Sequence, residues 1–199
     1  MAAPDSLVNI GLYGGTFDPI HNGHLILARE AMEYLKLDRL IFIPNAISPH
    51  KTKIPPAPAQ LRSQMVAAAI EGEPGFGIDL SELERSSPSY TIDTVLELKS
   101  RHRDAHFFYL IGEDNLHALR TWRQIDELEL LVQFVVLSRS EEKIPHPYVT
   151  LSRRIDISAT EIRERVANGR SIRYLVPEKV REIIERNQFY KEPPSPPRS

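Results

Sequence analysis

The 199 residues contain no cysteine. That absence excludes a disulfide framework, cysteine-ligated zinc and a thiol nucleophile together. Long apolar runs are missing too, and none approaches the roughly 18 residues that a membrane-spanning helix needs. Neither sign of charge dominates. Lys and Arg number 25 and Asp and Glu 27, a formal net charge of -2. No nucleic acid is therefore expected as a partner, and a small anion would need only a local basic pocket. Residues 1–15 show no basic stretch followed by an apolar core, the mark of a secretory signal. The expectation is a cytoplasmic protein with no membrane partner. What is present suits a globular chain: 41% hydrophobic and 26% charged residues, so wholesale disorder is excluded.

Apolar residues switch repeatedly between short runs and helical spacing. The segment 8–13 reads as a buried strand running into Gly14-Gly15, the strongest turn signal in the first third. Beyond Asn22-Gly23, Ala28, Ala31, Met32 and Leu35 recur at helical spacing, with Arg29, Glu30, Glu33 and Lys36 on the other side. A second strand at 40–43 ends at Pro44, completing a βαβ unit. A proline-rich loop is expected over 44–58, helices over 59–71 and 91–101, and strands at 76–80, 107–111 and 134–137. The alternation predicts an α/β fold, Rossmann-like and doubly wound, with a mostly parallel sheet and helices on both faces. The last third reads as more helical. Ser158 to Glu161 has capping-box spacing, and Pro177 fits a helix's first turn. One domain is expected over 1–191, followed by a disordered Pro/Ser-rich tail at 192–199.

The chemistry concentrates in Gly14-Gly15-Thr16-Phe17-Asp18-Pro19-Ile20-His21-Asn22-Gly23-His24-Leu25. The glycines let the backbone approach a ligand at the end of the first strand. A helix starting near Asn22 offers free N–H groups and the positive end of a dipole, together an anion site. His21 and His24 stand three apart, so both rings fall on one side of the first turn. Two imidazoles there make a phosphate cradle whose hold strengthens as negative charge grows. The same spacing suits zinc, and either histidine alone could be a simple cap. No cysteine and no third nearby histidine complete a closed zinc shell, so no resident metal is expected.

This stretch resembles the signature of the H-x-G-H nucleotidyltransferases, and in this form that of the bacterial nicotinate-nucleotide adenylyltransferases. Other segments agree, in the same order. Pro44-Asn45-Ala46 with Pro49-His50-Lys51 is similar to the family's P-x-x-x-P-H-K loop, and Ser89-Tyr90-Thr91-Ile92-Asp93-Thr94 to its S-Y-T-x-D-T segment. Ile111-Gly112-Glu113-Asp114-Asn115-Leu116 resembles its I-G-x-D-x-L, and Ile157-Ser158-Ala159-Thr160-Glu161-Ile162-Arg163 its I-S-x-T-x-I-R. Trp122 stands where the family has a tryptophan. The resemblance runs from about residue 8 to residue 190. Two departures touch the expected pyridine pocket: Ile47-Ser48 precede Pro49 where a second proline is common, and Arg123 follows Trp122 where an aromatic residue is frequent.

The resemblance implies adenylyl transfer from ATP to nicotinate mononucleotide, giving nicotinate adenine dinucleotide and pyrophosphate. The attacking phosphate oxygen is already ionised near neutral pH, so in-line attack needs positioning and charge stabilisation rather than a covalent enzyme intermediate. Mg²⁺ is implied as cofactor, bound mainly through the substrate phosphates. The resemblance assigns His21 and His24 as catalytic and as contacts of the ATP phosphates. It assigns Gly14, Gly15, Thr16, Phe17, Gly112, Asp114, Arg139, Ser158, Thr160 and Arg163 to ATP. Asn45, His50, Lys51, Tyr90, Thr91 and Trp122 fall to the mononucleotide, with Trp122 stacking near the nicotinate ring. Nicotinamide mononucleotide or phosphopantetheine stays open as the acceptor, as does a nucleotide-binding module without catalysis. A homo-oligomer is also left open.

Overall fold

The computed structural model describes residues 8–45, 57–85, 88–139 and 145–191. In chain order the elements are β1 (Val8–Gly15), α1 (Asn22–Tyr34), β2 (Arg39–Pro44), α2 (Ala59–Ile70), β3 (Phe76–Ile78), α3 (Ser81–Glu84) and α4 (Thr91–Arg101). They continue with β4 (Ala105–Gly112), α5 (Leu116–Leu119), α6 (Ile125–Leu131), β5 (Gln133–Ser138), β6 (Val149–Ser152), α7 (Ala159–Ala167) and α8 (Glu178–Arg186). The strands form one sheet in the order β3-β2-β1-β4-β5-β6, and every pairing is parallel. The expected doubly wound sheet is present, without the antiparallel member that "mostly" allowed for. The expected tail at 192–199 lies outside the described residues.

Period-two alternation along the strands builds two cores. Tyr13, Leu40, Phe42, Phe108, Leu110, Val135 and Leu137 point to one face, against α1, α2, α7 and α8. Ile10, Leu12, Ile41, Ile43, Phe107, Tyr109, Ile111 and Val136 point to the other, against α4, α5 and α6. Such double-sided burial is why the strands read as near-continuous apolar runs. Phe42 and Phe107 are fully buried, and each contributes about 1.5–3 kcal/mol by leaving water.

The strand order places the site. From β1 the chain proceeds outward through β2 to β3, then returns to lay β4 on the opposite edge of β1. Neighbouring parallel strands therefore leave in opposite directions at the carboxyl ends of β1 and β4, opening a crevice there. Gly14-Gly15 ends β1 and Gly112 ends β4.

Among the described residues the expected helices and strands are present with small shifts of their ends, and of the expected loop at 44–58 residues 46–56 lie outside the described residues. Pro177 stands at the N-cap of α8 rather than in its first turn, with an extended ψ of 148°. Ser158 caps α7 by accepting the Glu161 N–H at 3.1 Å.

Candidate active site

The H-x-G-H segment forms an unusual cap. His21 is the N-cap of α1, and its Nδ1 accepts the His24 N–H at 3.3 Å, while His24 Nδ1 accepts the His21 N–H at 3.2 Å. This is a capping box built from two imidazoles. The rings stack with centroids 3.7 Å apart. Because each Nδ1 accepts, each neutral ring carries its proton on Nε2. Among the described residues neither Nε2 has a hydrogen-bond partner, and the sole buried side-chain polar atom without one is Asn45 Oδ1. Both Nε2–H groups are therefore open donors.

The structure corrects one expectation. The first turn of α1 is not a free anion cradle: the Asn22 N–H donates to the Leu175 carbonyl at 2.9 Å, and the Asn22 side chain reaches the Tyr174 carbonyl at 2.7 Å. With the His24 N–H also engaged, the two Nε2–H groups are the open side-chain donors at this end of α1.

Burial pulls the His21 imidazole down to about 3, with the positive charge of Arg139 acting in the same direction. His24 lies well below its ordinary value, again through burial first, then through His21 and Arg139. The pair is neutral at physiological pH. In acid the unfolded chain takes up protons below about 6.5 while the folded rings stay neutral, so stability is full above that value and falls as pH drops toward 3. Melting curves should shift down across this window, and the His21 ring signal should not titrate in the native protein near pH 6.5. A ring titrating there would contradict the burial.

Two further segments close around the pair. A Cβ at Gly23 would lie 3.0 Å from His21 Nδ1 and 3.2 Å from Ile155, so glycine here lets the α1 start pack tightly against the chain leading to α7. Arg163 crosses from α7 to donate to the Asp18 carbonyl at 2.6 Å and to Thr160 Oγ1 at 3.1 Å. The H-x-G-H and I-S-x-T-x-I-R segments are thus in direct contact. Beside them lies a cavity of about 600 Å³ whose walls include Gly112, Asp114, Arg139, Asp156 and Ser158. Arg139 is exposed and donates to the Ile157 carbonyl at 2.9 Å.

The mononucleotide candidates gather around Tyr109 at the centre of β4. Gly14 lacks a side chain where any Cβ would collide with the Tyr109 hydroxyl, and the same point is 3.5 Å from Asn45 Oδ1. Trp122 is half-buried, edge-on to Tyr109 with centroids 5.9 Å apart. Arg123, where an aromatic residue is frequent, lays its guanidinium 4.7 Å from the Tyr90 ring centroid. A cation–π contact thus fills that place. The Phe17 ring is core, packed on Tyr13, His24 and Phe42, so the side chain is not available for the ATP contact expected of this residue. His50 and Lys51 lie outside the described residues.

Sequence reading missed the polar frame beneath the site. Arg62, on α2, is completely buried, and its guanidinium donates to the carbonyls of Thr16 at 2.6 Å, Asn45 at 2.9 Å and Ala57 at 3.0 Å. Asp18 is buried too and accepts from the Ala57 N–H at 3.1 Å and the Tyr190 hydroxyl at 2.6 Å. No spacing in the sequence marks either residue as a partner of these groups.

Known proteins share the chain's sequence and fold. Residues 12–165 match the cytidylyltransferase-like family. A probable nicotinate-nucleotide adenylyltransferase of Geobacillus thermodenitrificans is 45% identical over 184 residues, covering 91% of this chain and 85% of the relative. The nicotinate-nucleotide adenylyltransferase of Bacillus subtilis is 40% identical over 185 residues, covering 92% and 98%. In fold, the chain is similar to nicotinic acid mononucleotide adenylyltransferase of Plasmodium falciparum complexed with NaAD. The TM-score is 0.75 at 20% identity, covering 92% of this chain and 97% of that one. A putative nicotinate-nucleotide adenylyltransferase from Vibrio parahaemolyticus superposes with a TM-score of 0.71 at 17% identity, covering 94% and 98%. With a family match over most of its length and relatives above 40% identity across nine-tenths of it, the chain belongs to the nicotinate-nucleotide adenylyltransferases.

Proposed function

We propose that the chain transfers the adenylyl group of ATP to the phosphate of nicotinate mononucleotide, releasing pyrophosphate and nicotinate adenine dinucleotide. The observation that carries this reading is the stacked, neutral imidazole pair with both Nδ1 atoms engaged and both Nε2–H groups free. Such donors cannot act as strong acids, and none is needed. A mononucleotide phosphate oxygen attacks the α-phosphorus, the bond from that phosphorus to the pyrophosphate oxygen breaks, and negative charge gathers on the α-phosphoryl oxygens. Fixed N–H donors stabilise that charge without rearranging.

Ser158 holds the α7 backbone through Oγ as acceptor, which leaves its hydroxyl proton for a phosphate. Arg139 and Asp114, on the cavity wall, serve the triphosphate and the ATP ribose. Arg163 ties the two phosphate-binding segments together and presents positive charge at their junction. On the acceptor side, Asn45, Tyr90, Thr91 and Trp122 surround the mononucleotide, and His50 and Lys51 remain assigned to its phosphate.

Magnesium enters with the triphosphate. Among the described residues no three of His, Cys, Asp and Glu come together to hold an ion, so the cation of this reading would be carried by substrate phosphate and water, with Asp114 the carboxylate on the cavity wall. Such an ion would supply positive charge to offset that of the phosphates. Phosphorylated nucleotide substrates place the work in the cytoplasm. Among the described residues no helix is long and apolar enough to cross a membrane.

Pyrophosphate release measured side by side with nicotinate and nicotinamide mononucleotides tests the proposal. Turnover should be at least about 10-fold faster with the nicotinate form, a difference of about 1.4 kcal/mol at the pyridine substituent. Equal rates would move the acceptor assignment. ATP binding with no turnover on either would support a binding module instead.

A further inference from the structure

We propose that Tyr190 is a positioning residue for the mononucleotide half of the site, acting through Asp18 on the backbone around Asn45. The inference rests on the adenylyl-transfer reading above and adds a residue to it.

Tyr190 follows α8 with φ of 62°, a left-handed conformation uncommon for a bulky side chain. Its hydroxyl donates to Asp18 Oδ1 at 2.6 Å across 172 residues of chain. Burial and the Asp18 charge raise the phenol's proton affinity, so it stays a donor throughout the working pH range. The same Oδ1 accepts the Ala57 N–H. From Ala57 the path continues through Arg62, which binds the carbonyls of both Ala57 and Asn45 and feels the Asp18 charge. It ends at Asn45, whose buried Oδ1 has no partner among the described residues and sits beside Gly14.

The ATP half is tied to Asp18 chiefly through its backbone, and Arg62 touches that half only at the Thr16 carbonyl, at 2.6 Å. Arg163 holds the Asp18 backbone carbonyl at 2.6 Å, whereas its closest approach to the carboxylate is 3.9 Å. Disturbing the carboxylate alone should therefore act on one substrate more than on the other.

The test is Tyr190→Phe in the full chain, which removes the donor and keeps the ring that packs on the core. KM for nicotinate mononucleotide should rise about 10-fold, as for a lost hydrogen bond to a charged group. KM for ATP and kcat should stay within about twofold. In an Asp18→Asn background the same change should have a further effect of only about twofold, because the two residues act as one unit. An unchanged KM for the mononucleotide, an equal rise for both substrates, or full multiplication of effects in the double variant would overturn the role. A wild-type chain without turnover would overturn the reaction instead. Calorimetric binding of nicotinate mononucleotide then decides the role of Tyr190: about 10-fold weaker binding in the variant supports it and equal binding overturns it.

Discussion

Replacing His24 by Ala should lower kcat by about 100-fold or more, with a smaller change in KM for ATP. The expected size is that of one donor removed from an oxyanion-type site, and the kinetic pattern is that of an interaction made mainly in the transition state. The structure adds a second, separable effect. His24 Nδ1 accepts the His21 N–H, so Ala also removes half of the capping box at the start of α1. That should cost about 1 kcal/mol of stability, or about 2–4 °C in melting temperature for a domain of this size. Steady-state kinetics at 25 °C, well below the melting range, keep the two effects apart. A variant with near-normal kcat would remove the imidazole pair from the chemistry, whatever its melting temperature.

Arg62→Met carries the largest expected effect on stability. It removes one buried side chain and leaves three carbonyls, the buried one on Ala57 and the part-buried ones on Thr16 and Asn45, without that donor. The buried Asp18 also loses a balancing positive charge. Breaking a buried charged network by deleting one partner costs about 3–5 kcal/mol, a large share of the 5–15 kcal/mol that holds a typical domain. Thermal melts followed by circular dichroism should show a drop of more than about 6 °C. Arg62→Lys should recover only part of it, because one ammonium cannot present the planar fork that reaches three acceptors. A melting temperature within about 2 °C of wild type for Arg62→Met would show that water replaces the guanidinium and that this frame is dispensable.

The helices at 22–34 and 91–101 could be read from apolar spacing because each buries one clean stripe: Leu27, Ala28 and Ala31 in the first, Ile92, Val95 and Leu98 in the second. Elements without a stripe escaped. Strand β6 buries only Leu151 and lies at the sheet edge, so it shows neither an apolar run nor full alternation. Helix α6 buries only Ile125 and Leu128 and starts from Gln124 at a φ of 53°, with no side-chain cap to announce it. The imidazole pair was legible because its partners lie three residues away. Arg62 was not, since an arginine in a helix reads as a solvated charge until tertiary structure brings three carbonyls around it. Asp18 could be quoted within its motif without a task, because one of its donors stands at position 190.

The pairing of Asn22 with Leu175 and of Asp18 with Tyr190 has a consequence for biosynthesis. A ribosome delivers the glycine-rich turn and both histidines first, yet the groups that hold them arrive last. Nascent polypeptides halted short of residue 174 would carry every imidazole without the late groups that engage Asn22 and Asp18. Such chains should hold ATP more weakly than the full chain, whose late segments fold back onto the first strand's end.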